Sequence, residues 1–268
     1  ENGAGTLLAR VIVNRLWQHH LGQGLVSTPN DFGVQGEKPT HPELLDWLAR
    51  ELIRGGWRLK PVHKLILLSN AYRQSSAYDK AKAAKDPDNR LLWRRSPARL
   101  EAEIIRDSVL KVSGLLDETM FGKGTLNEGM TRRSIYFMIK RSKVIPSMQL
   151  FDSPEPLVSQ GSRPNTIIAP QALLFMNSPH VRRSATKFME RIQAAGGGDG
   201  LSGNVSLGYR MTLGRIPTET ERDAAVAFVS RQASSYVKNG RNEQDARRLA
   251  LADFCQVLFG LNEFIYIE

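Results

Sequence analysis

Apolar residues recur every three or four positions over most of the chain, which is the spacing of amphipathic α-helices. On this pattern we predict helices over residues 6–21, 42–54, 61–72, 98–116, 170–176, 178–195, 209–215, 218–237 and 242–261. The intervening segments are rich in glycine, proline and polar residues. Neither strand–helix–strand alternation nor an internal repeat is present. The sequence therefore predicts a mainly α, multi-helix globular domain.

One segment instead has the composition of a strand. Arg132–Arg141 contains β-branched and aromatic residues between flanking basic ones, so we predict a minor β-strand or hairpin there. The chain is expected to form a single helical domain over residues 1–268, or two packed lobes. In the second case the lobes would cover about 1–116 and 166–268, joined by an irregular β-containing segment at 117–165.

The first helix is apolar on several sides, which is typical of a central helix. Asn14 lies within it and needs hydrogen-bond partners if it is buried. The next two predicted helices follow each other across a short turn, as in a helix-turn-helix. The second of these carries Val62, Leu65 and Ile66, apolar surface that would be wasted in a DNA groove. We therefore predict a core helix there and do not expect sequence-specific nucleic-acid binding.

The most site-like stretch is Asp31–Trp47, a polar, glycine-broken loop that leads into a helix. Thr40 is expected to cap this helix, and Glu43, three residues later, to complete a capping box. Asp31 and His41 form one candidate acid–base pair. The alternative for His41 is a structural role at the start of the helix.

A second candidate pair lies on the predicted helix at 98–116. Glu103 and Asp107 are four residues apart, so their carboxylates can converge and could share a proton or hold a cation. The alternative is an ion-pair face in which Arg99 and Arg106 neutralise both acids. The closeness of these arginines in the sequence favours that alternative.

Candidate ligand-binding residues follow the predicted strand. A long loop punctuated by prolines starts after Arg141, and long loops in compact domains are often functional. The candidates beside it are Arg132, Arg133, Arg141, Asp152 and Arg163.

The net charge of the chain indicates which class of binding partner to expect. The chain carries 37 basic and 27 acidic residues, a net charge of +10, which favours polyanions such as nucleic acid, anionic polysaccharide or an acidic membrane surface. Hydrophobic residues make up 41% of the chain, an ordinary value for a globular protein, so we do not expect wholesale disorder. No apolar run approaches the roughly 20 residues of a membrane span.

The sequence lacks the residues or motifs that disulfides, haem attachment and common metal and hydrolase sites require. Cys255 is the single cysteine, so neither a disulfide within the chain nor a thiolate metal cluster can form, and core packing is its expected role. The chain has no Cys-x-x-Cys-His motif for c-type haem, no His-Glu-x-x-His and no Gly-x-Ser-x-Gly. We therefore expect neither a cofactor nor a metal in this chain.

Read together, a series of motifs resembles one family, the planctomycete-type domain of unknown function at the C-terminal end of large secreted proteins. In that family it follows a planctomycete cytochrome-c-like domain. The motifs cover nearly the whole chain in order: Val13–Trp17, Gly22–Val26, Asp31–Gly33, His41–Leu48, Tyr72–Ser76, Arg99–Asp107, Arg132–Tyr136, Phe151–Asp152, Gln171–Leu173, Leu213–Pro217 and Asn262–Phe264.

The resemblance implies an exported protein, periplasmic or extracellular, with any haem on a separate domain. It implies no reaction. It places the following residues at family-motif positions: Asn14, Trp17, Asp31, His41, Glu43, Glu103, Arg106, Asp107, Arg133, Asp152 and Arg163. One departure is Ser159–Gln160, where relatives often carry a cysteine. The chain has no signal peptide, but it is expected to be a mature or excised fragment, which leaves its compartment open.

Two function classes follow. The leading hypothesis is a non-catalytic interaction module that binds an anionic polymer or docks a neighbouring, cytochrome-like domain. The alternative is a hydrolase-type enzyme that acts on polysaccharide, with Glu103 and Asp107, or Asp31 with His41, as acid and base.

Overall fold

In a computed structural model of the protein, residues 4–196 and 200–267 are described. Within these residues the chain forms thirteen α-helices, one turn of 3-10 helix and one two-stranded antiparallel sheet. The predicted mainly α fold class is confirmed. The chain divides into two units, and the division falls after Ala98.

The first unit comprises the chain up to Ala98 together with Gln160–Ser162. Its helices are α1 (Ala4–Leu21), α2 (Pro42–Arg54), α3 (Leu59–Leu68), α4 (Asn70–Arg73) and α5 (Lys80–Lys85). Their apolar faces form a core of Ala9, Val13, Trp17, Leu25, Val26, Leu45, Leu48, Ala49, Leu52, Val62 and Ile66.

Asn14 is fully buried in this unit. Its side-chain amide donates to the Val26 carbonyl at 3.0 Å, and its side-chain oxygen accepts the Val26 N–H at 2.9 Å. Gly24 packs so closely against it that a Cβ there would lie 2.8 Å from the Asn14 amide nitrogen. The two hydrogen bonds satisfy a buried polar side chain that would otherwise destabilise the core. The expectation that Asn14 needs partners if it is buried is confirmed.

The predicted helix at 61–72 is two helices, because the backbone at Ser69 is extended between α3 and α4. Val62 and Ile66 are buried in the core. Leu65, Leu67 and Leu68 are exposed, Leu68 to 61%. The prediction of a core helix therefore holds for only one face of α3.

The second unit comprises Arg99–Ser159 and Arg163–Ile267. Its helices are α6 (Ala102–Ser113), α7 (Pro146–Leu150), α8 (Ala169–Asn177), α9 (Pro179–Ala194), α10 (Gly200–Leu213), α11 (Glu219–Lys238), α12 (Glu243–Phe259) and α13 (Asn262–Ile265). A separate core includes Ile105, Phe175, Phe188, Phe254 and Phe259. Cys255 lies fully buried in it, and burial raises the pKa of its thiol, which confirms the predicted packing role.

The strands lie elsewhere than predicted. They are β1 (Ala98–Arg99) and β2 (Tyr266–Ile267), each two residues long. The centre of Arg132–Arg141 is the 3-10 turn Ser134–Tyr136, with only isolated bridges at Arg132, Phe137 and Lys140 around it. The prediction of a strand at 132–141 is therefore wrong.

Local backbone geometry also shortens the predicted helix at 98–116. Arg99 belongs to a strand, and the Leu100 N–H donates to the Ile265 carbonyl at 2.8 Å, so α6 starts only at Ala102. It ends at Gly114, whose φ of 76° is the left-handed conformation that glycine adopts readily. Ala102, Ile105 and Val109 turn into the core, which sets the direction of the side chains on the rest of α6.

Candidate functional site

An open cleft runs beside α6 in the second unit; we call it the α6 cleft. Its volume is about 470 Å³. Its lining combines acidic, basic and apolar residues: Glu101, Glu103, Ile104, Asp107, Arg133, Ser134, Ile135, Phe137, Met138, Ile139, Lys140, Lys143, Val144, Ile145, Met148, Ser153, Pro154, Pro156 and Arg163. The structure thus brings together four of the residues predicted from sequence, namely Glu103, Asp107, Arg133 and Arg163.

Glu103 forms a two-pronged ion pair with Arg163. Its carboxylate oxygens accept from the Arg163 guanidinium at 2.6 and 3.2 Å, and Glu101 lies 3.5 Å from the same group. The Glu103 and Arg163 side chains are each 32% exposed, so the pair borders solvent. Glu103 is neutralised, as the ion-pair interpretation predicted, but its partner is Arg163 rather than Arg99.

Asp107 holds the 3-10 turn in place. Its Oδ1 accepts both the backbone N–H of Ser134, at 2.8 Å, and the Ser134 hydroxyl, at 2.7 Å. Arg106 and Arg133 lie 3.6 and 3.8 Å from the carboxylate. The carboxylate therefore already has two donors and two cationic neighbours.

Arg106 organises the loop on the other side of Asp107. Its guanidinium donates to the carbonyls of Glu128, Met130 and Arg132 and to the Ser134 hydroxyl. The side chain is only 14% exposed. Burial lowers the pKa of Arg106 from its ordinary value, against the opposing charges of Asp107 and Glu128. The sequence predicted Arg106 only as a partner that neutralises the acids and as a family-motif position. Its role in the loop could not be predicted, because its three carbonyl acceptors are more than twenty residues away and no local pattern marks them.

A run of positive charge borders the cleft. Between Glu128 and Asp152 the sequence has five basic residues and no acidic one. Arg133 is exposed to 58%, and Lys140, Arg141 and Lys143 are also exposed. Lys140 and Lys143 line the cleft although they were not among the predicted ligand residues, whereas Arg141 lies outside the lining. We call Arg133, Lys140, Arg141 and Lys143 the basic rim.

Arg132 and Asp152 serve local structure instead. The Arg132 guanidinium lies 3.6 Å from the centre of the Tyr136 ring and donates to the Thr119 carbonyl at 2.9 Å. Asp152 accepts from Arg99 at 2.6 Å and from the Thr166 N–H at 2.9 Å. Burial alone would raise the pKa of Asp152, but the hydrogen bonds from Arg99 and Thr166 outweigh it and hold that pKa below its ordinary value. Neither side chain is free to meet a ligand.

The other candidate pair lies in the first unit. Asp31 accepts the Gly33 N–H at 2.8 Å, which stabilises a tight turn. His41, not Thr40, is the N-cap residue of α2, and Thr40 donates to the Leu25 carbonyl at 3.3 Å. The predicted capping box is therefore wrong: α2 begins at Pro42, so Thr40 precedes the N-cap residue and Glu43 is only the second residue of the helix. Within the described residues, no hydrogen bond joins Asp31 to His41.

A histidine pair that sequence reasoning did not predict links α1 to α3. His20 Nε2 and His63 Nδ1 are 2.7 Å apart, and the two rings meet edge to face. Burial, followed by the positive charge of His63, His19 and Arg95, lowers the pKa of His20 from 6.5. His20 and His63 are 43 residues apart, so only the packing of α1 on α3 reveals the pair.

Metal-ligating side chains do not cluster in the part of the chain that the structure describes: no three of the His, Cys, Asp and Glu residues there are grouped to hold an ion. Among its described helices, none is long and apolar enough to cross a membrane.

Comparison with known proteins gives one match. Neither a curated protein nor a solved structure matches the chain. A family described as PSD1, protein of unknown function (DUF1553), matches residues 2–229. That span covers most of the 268 residues and includes both candidate pairs and the whole basic rim. The chain belongs to the PSD1 family of proteins of unknown function (DUF1553).

Proposed function

We propose that this chain is a non-catalytic interaction module that binds an anionic polymer, in the first instance an anionic polysaccharide, along the basic rim of the α6 cleft. One observation carries the proposal. Arg133, Lys140 and Lys143 line an open cleft of about 470 Å³, and with the exposed Arg141 they lie in a stretch of chain that contains no acidic residue. Clustered positive charge on one face raises the local concentration of a polyanion and speeds its association.

The shape of the cleft supports an extended ligand. Its opening leaves room for a chain to pass, and exposed apolar residues such as Ile135 and Met138 lie between the basic ones. Sugar rings have apolar faces that can pack on such residues, while their carboxylates or sulfates meet the rim. Electrostatic attraction alone would give binding without selectivity, so the cleft walls must supply any discrimination between polymers.

The hydrolase alternative has less support from the geometry. A general acid in a glycosidase needs an environment that keeps a carboxyl group protonated. Glu103 instead binds an arginine through both oxygens, and Asp107 accepts two hydrogen bonds from Ser134 beside two arginines. We therefore propose binding rather than catalysis at this cleft.

A second candidate function, docking to a neighbouring domain, is favoured by the exposed face of α3 in the first unit. Leu65, Leu67 and Leu68 are exposed there on one helix. On the family resemblance we propose that the neighbour is a cytochrome-c-like domain that precedes this one in a planctomycete-type exported protein.

Binding to polymers tests the leading proposal. The purified protein is titrated with a sulfated polysaccharide, a polyuronate, neutral dextran and duplex DNA at low and moderate salt. We expect affinity for the anionic polysaccharides, none for dextran, and binding to at least one of them that survives moderate salt. Equal, steeply salt-dependent binding to every polyanion would indicate only a basic surface, and no binding at low salt would overturn the proposal.

Matched variants locate the interaction. In the rim variant, Arg133, Lys140, Arg141 and Lys143 are all replaced by glutamine. In the control, the exposed residues Lys80, Lys82, Lys85 and Arg90 of the first unit are replaced in the same way, with the same change in net charge. We expect the rim variant alone to lose binding. Equal losses in both variants would mean that net charge, and not this rim, drives the association.

A further inference from the structure

A second and smaller pocket lies in the second unit between α6, α7, α8 and α9. Its volume is about 90 Å³. Its walls are mainly apolar and include Ile105, Val109, Met148, Phe151 and Phe175. For comparison, an engineered apolar cavity of about 150 Å³ binds benzene. The present pocket fits a short aliphatic chain, and none of the basic rim residues lines it.

Two basic residues lie at the mouth of this pocket. His180 and Arg183, from the start of α9, line it, and both side chains are exposed. Within the described residues, neither side chain takes part in an ion pair or a side-chain hydrogen bond. The one carboxylate in the lining belongs to Glu128, which accepts the Ser147 N–H at 3.2 Å and lies beside the charge of Arg106. The uncompensated charge at the mouth is therefore that of Arg183.

An unsatisfied hydroxyl also lines the pocket. The Ser147 oxygen is buried and has no hydrogen-bond partner within the described part of the chain. Buried polar atoms in native proteins nearly always have a partner, so this hydroxyl is available to hydrogen-bond a molecule that enters the pocket. Apolar walls, a free cation at the mouth and a free hydroxyl fit a ligand with a short hydrocarbon tail and a charged oxygen head.

We propose that this pocket binds small monocarboxylates with an apolar tail of about three or four carbons, because a pocket of about 90 Å³ has less room than the cavity of about 150 Å³ that holds the six carbons of benzene. The tail lies among Ile105, Val109 and Phe175, and the carboxylate meets Arg183 at the mouth. The pocket shares only Met148 with the lining of the α6 cleft, and none of Ile105, Val109, Phe175 and Arg183 lines that cleft. The binding of a polymer and the binding of a carboxylate can therefore each fail without the other.

The methionines make a direct test possible. The chain has seven methionines, of which Met130 lines this pocket alone, Met138 lines the α6 cleft alone and Met148 lines both. The protein, labelled with ¹³C at its methionine methyl groups, is titrated with pentanoate and, separately, with pentan-1-ol, and NMR spectra are recorded. We expect the Met130 signal to shift saturably with pentanoate, while the Met138 signal stays unchanged.

Two variants test the role of the charge. Arg183→Gln should weaken pentanoate binding by about tenfold, the effect of losing one charge-assisted contact in a partly exposed site. Arg210→Gln, which removes an exposed arginine that does not line the pocket, should leave it unchanged. Pentanol that binds as tightly as pentanoate, or an Arg183→Gln variant with undiminished affinity, would overturn the proposal. Shifts confined to Met138, or no shift at Met130 at millimolar pentanoate, would also overturn it.

Discussion

Replacing Arg106 by methionine should strongly destabilise the second unit. Methionine keeps much of the length and apolar contact of the arginine stem but removes every donor. The carbonyls of Glu128, Met130 and Arg132 would each lose a charged donor, and Ser134 would lose one of its partners. These carbonyls alternate along one loop, so a single side chain fixes its whole course.

The size of the effect follows from the burial of this group. Hydrogen bonds to charged groups contribute about 1.5–3 kcal/mol each, and removing one partner of a buried network costs about 3–5 kcal/mol. The side chain is 14% exposed, so water can reach part of the loop after the change. We therefore expect a loss of about 3–4 kcal/mol in the free energy of unfolding, within the range for breaking a buried network.

Urea unfolding followed by far-UV circular dichroism measures this loss. Tryptophan fluorescence is less suitable, because all four tryptophans lie before Ala98 in the first unit. Hydrogen exchange should show loss of protection concentrated at residues 128–134. Arg210→Met serves as a control, and we expect it to change stability by less than about 0.5 kcal/mol, as is usual at exposed positions. A loss below about 1 kcal/mol for Arg106→Met would refute the reasoning, since it would mean that water replaces the guanidinium at little cost.

Three further predictions concern single groups. Burial and the neighbouring His63 hold the pKa of His20 below 6.5, so this histidine binds a proton more readily in the unfolded chain than in the folded one. The free energy of unfolding should therefore keep its full value above pH 6.5 and fall as the pH drops below it. Melting curves followed by tryptophan fluorescence should show this, and a His20→Gln variant that keeps the same pH dependence would contradict it. Asp152→Asn should lower the free energy of unfolding at pH 7 by about 1–3 kcal/mol through loss of the charged contact with Arg99, since asparagine tolerates the backbone φ of 59° at this position. Urea unfolding measures this loss, and the contribution of the Asp152 carboxylate should disappear as the pH falls below about 3.8. A change of under about 0.5 kcal/mol at pH 7 would be inconsistent with a stabilising contact between Asp152 and Arg99. The Cys255 thiol should react with a disulfide reagent only after denaturation, because burial raises its pKa and closes access; rapid reaction of the native protein would contradict its placement in the core.

Features whose hydrogen bonds stay within a few residues follow directly from the amino-acid sequence. The bounds of α2 agree with the prediction, because Gly55 and Gly56 end the helix where the apolar repeat stops. Glu221 follows Thr218 by three residues, a spacing that predicts a capping box from the sequence, and the structure has that box at the start of α11. In these cases donor and acceptor are neighbours in the chain, so no distant segment can compete for them.

Where a group distant in the sequence forms the hydrogen bonds instead, the structure departs from the one that local propensity predicts. Thr40 has the right spacing from Glu43 for a capping box, yet its backbone N–H and its hydroxyl both donate to the distant Leu25 carbonyl, and the helix takes His41 as its N-cap residue instead. Segment 132–141 has strand composition, yet Asp107 takes the Ser134 N–H and Arg106 takes the carbonyls of the preceding loop, which leaves a 3-10 turn. Hydrogen bonds to these charged groups contribute more to stability than the difference in intrinsic free energy between strand and turn for these residues.

Some features of the candidate site likewise follow from the sequence, and others depend on the tertiary structure. Composition alone identifies an acid-free, basic stretch between Glu128 and Asp152, because charge depends only on which residues are present. Which of its arginines faces solvent depends on the tertiary structure: Arg132 packs on Tyr136, while the adjacent Arg133 is exposed. The partner of Glu103 is Arg163, 60 residues along the chain, rather than the nearby Arg99. Ion pairs form between side chains that folding brings within a few ångströms, and spacing in the sequence does not specify that distance.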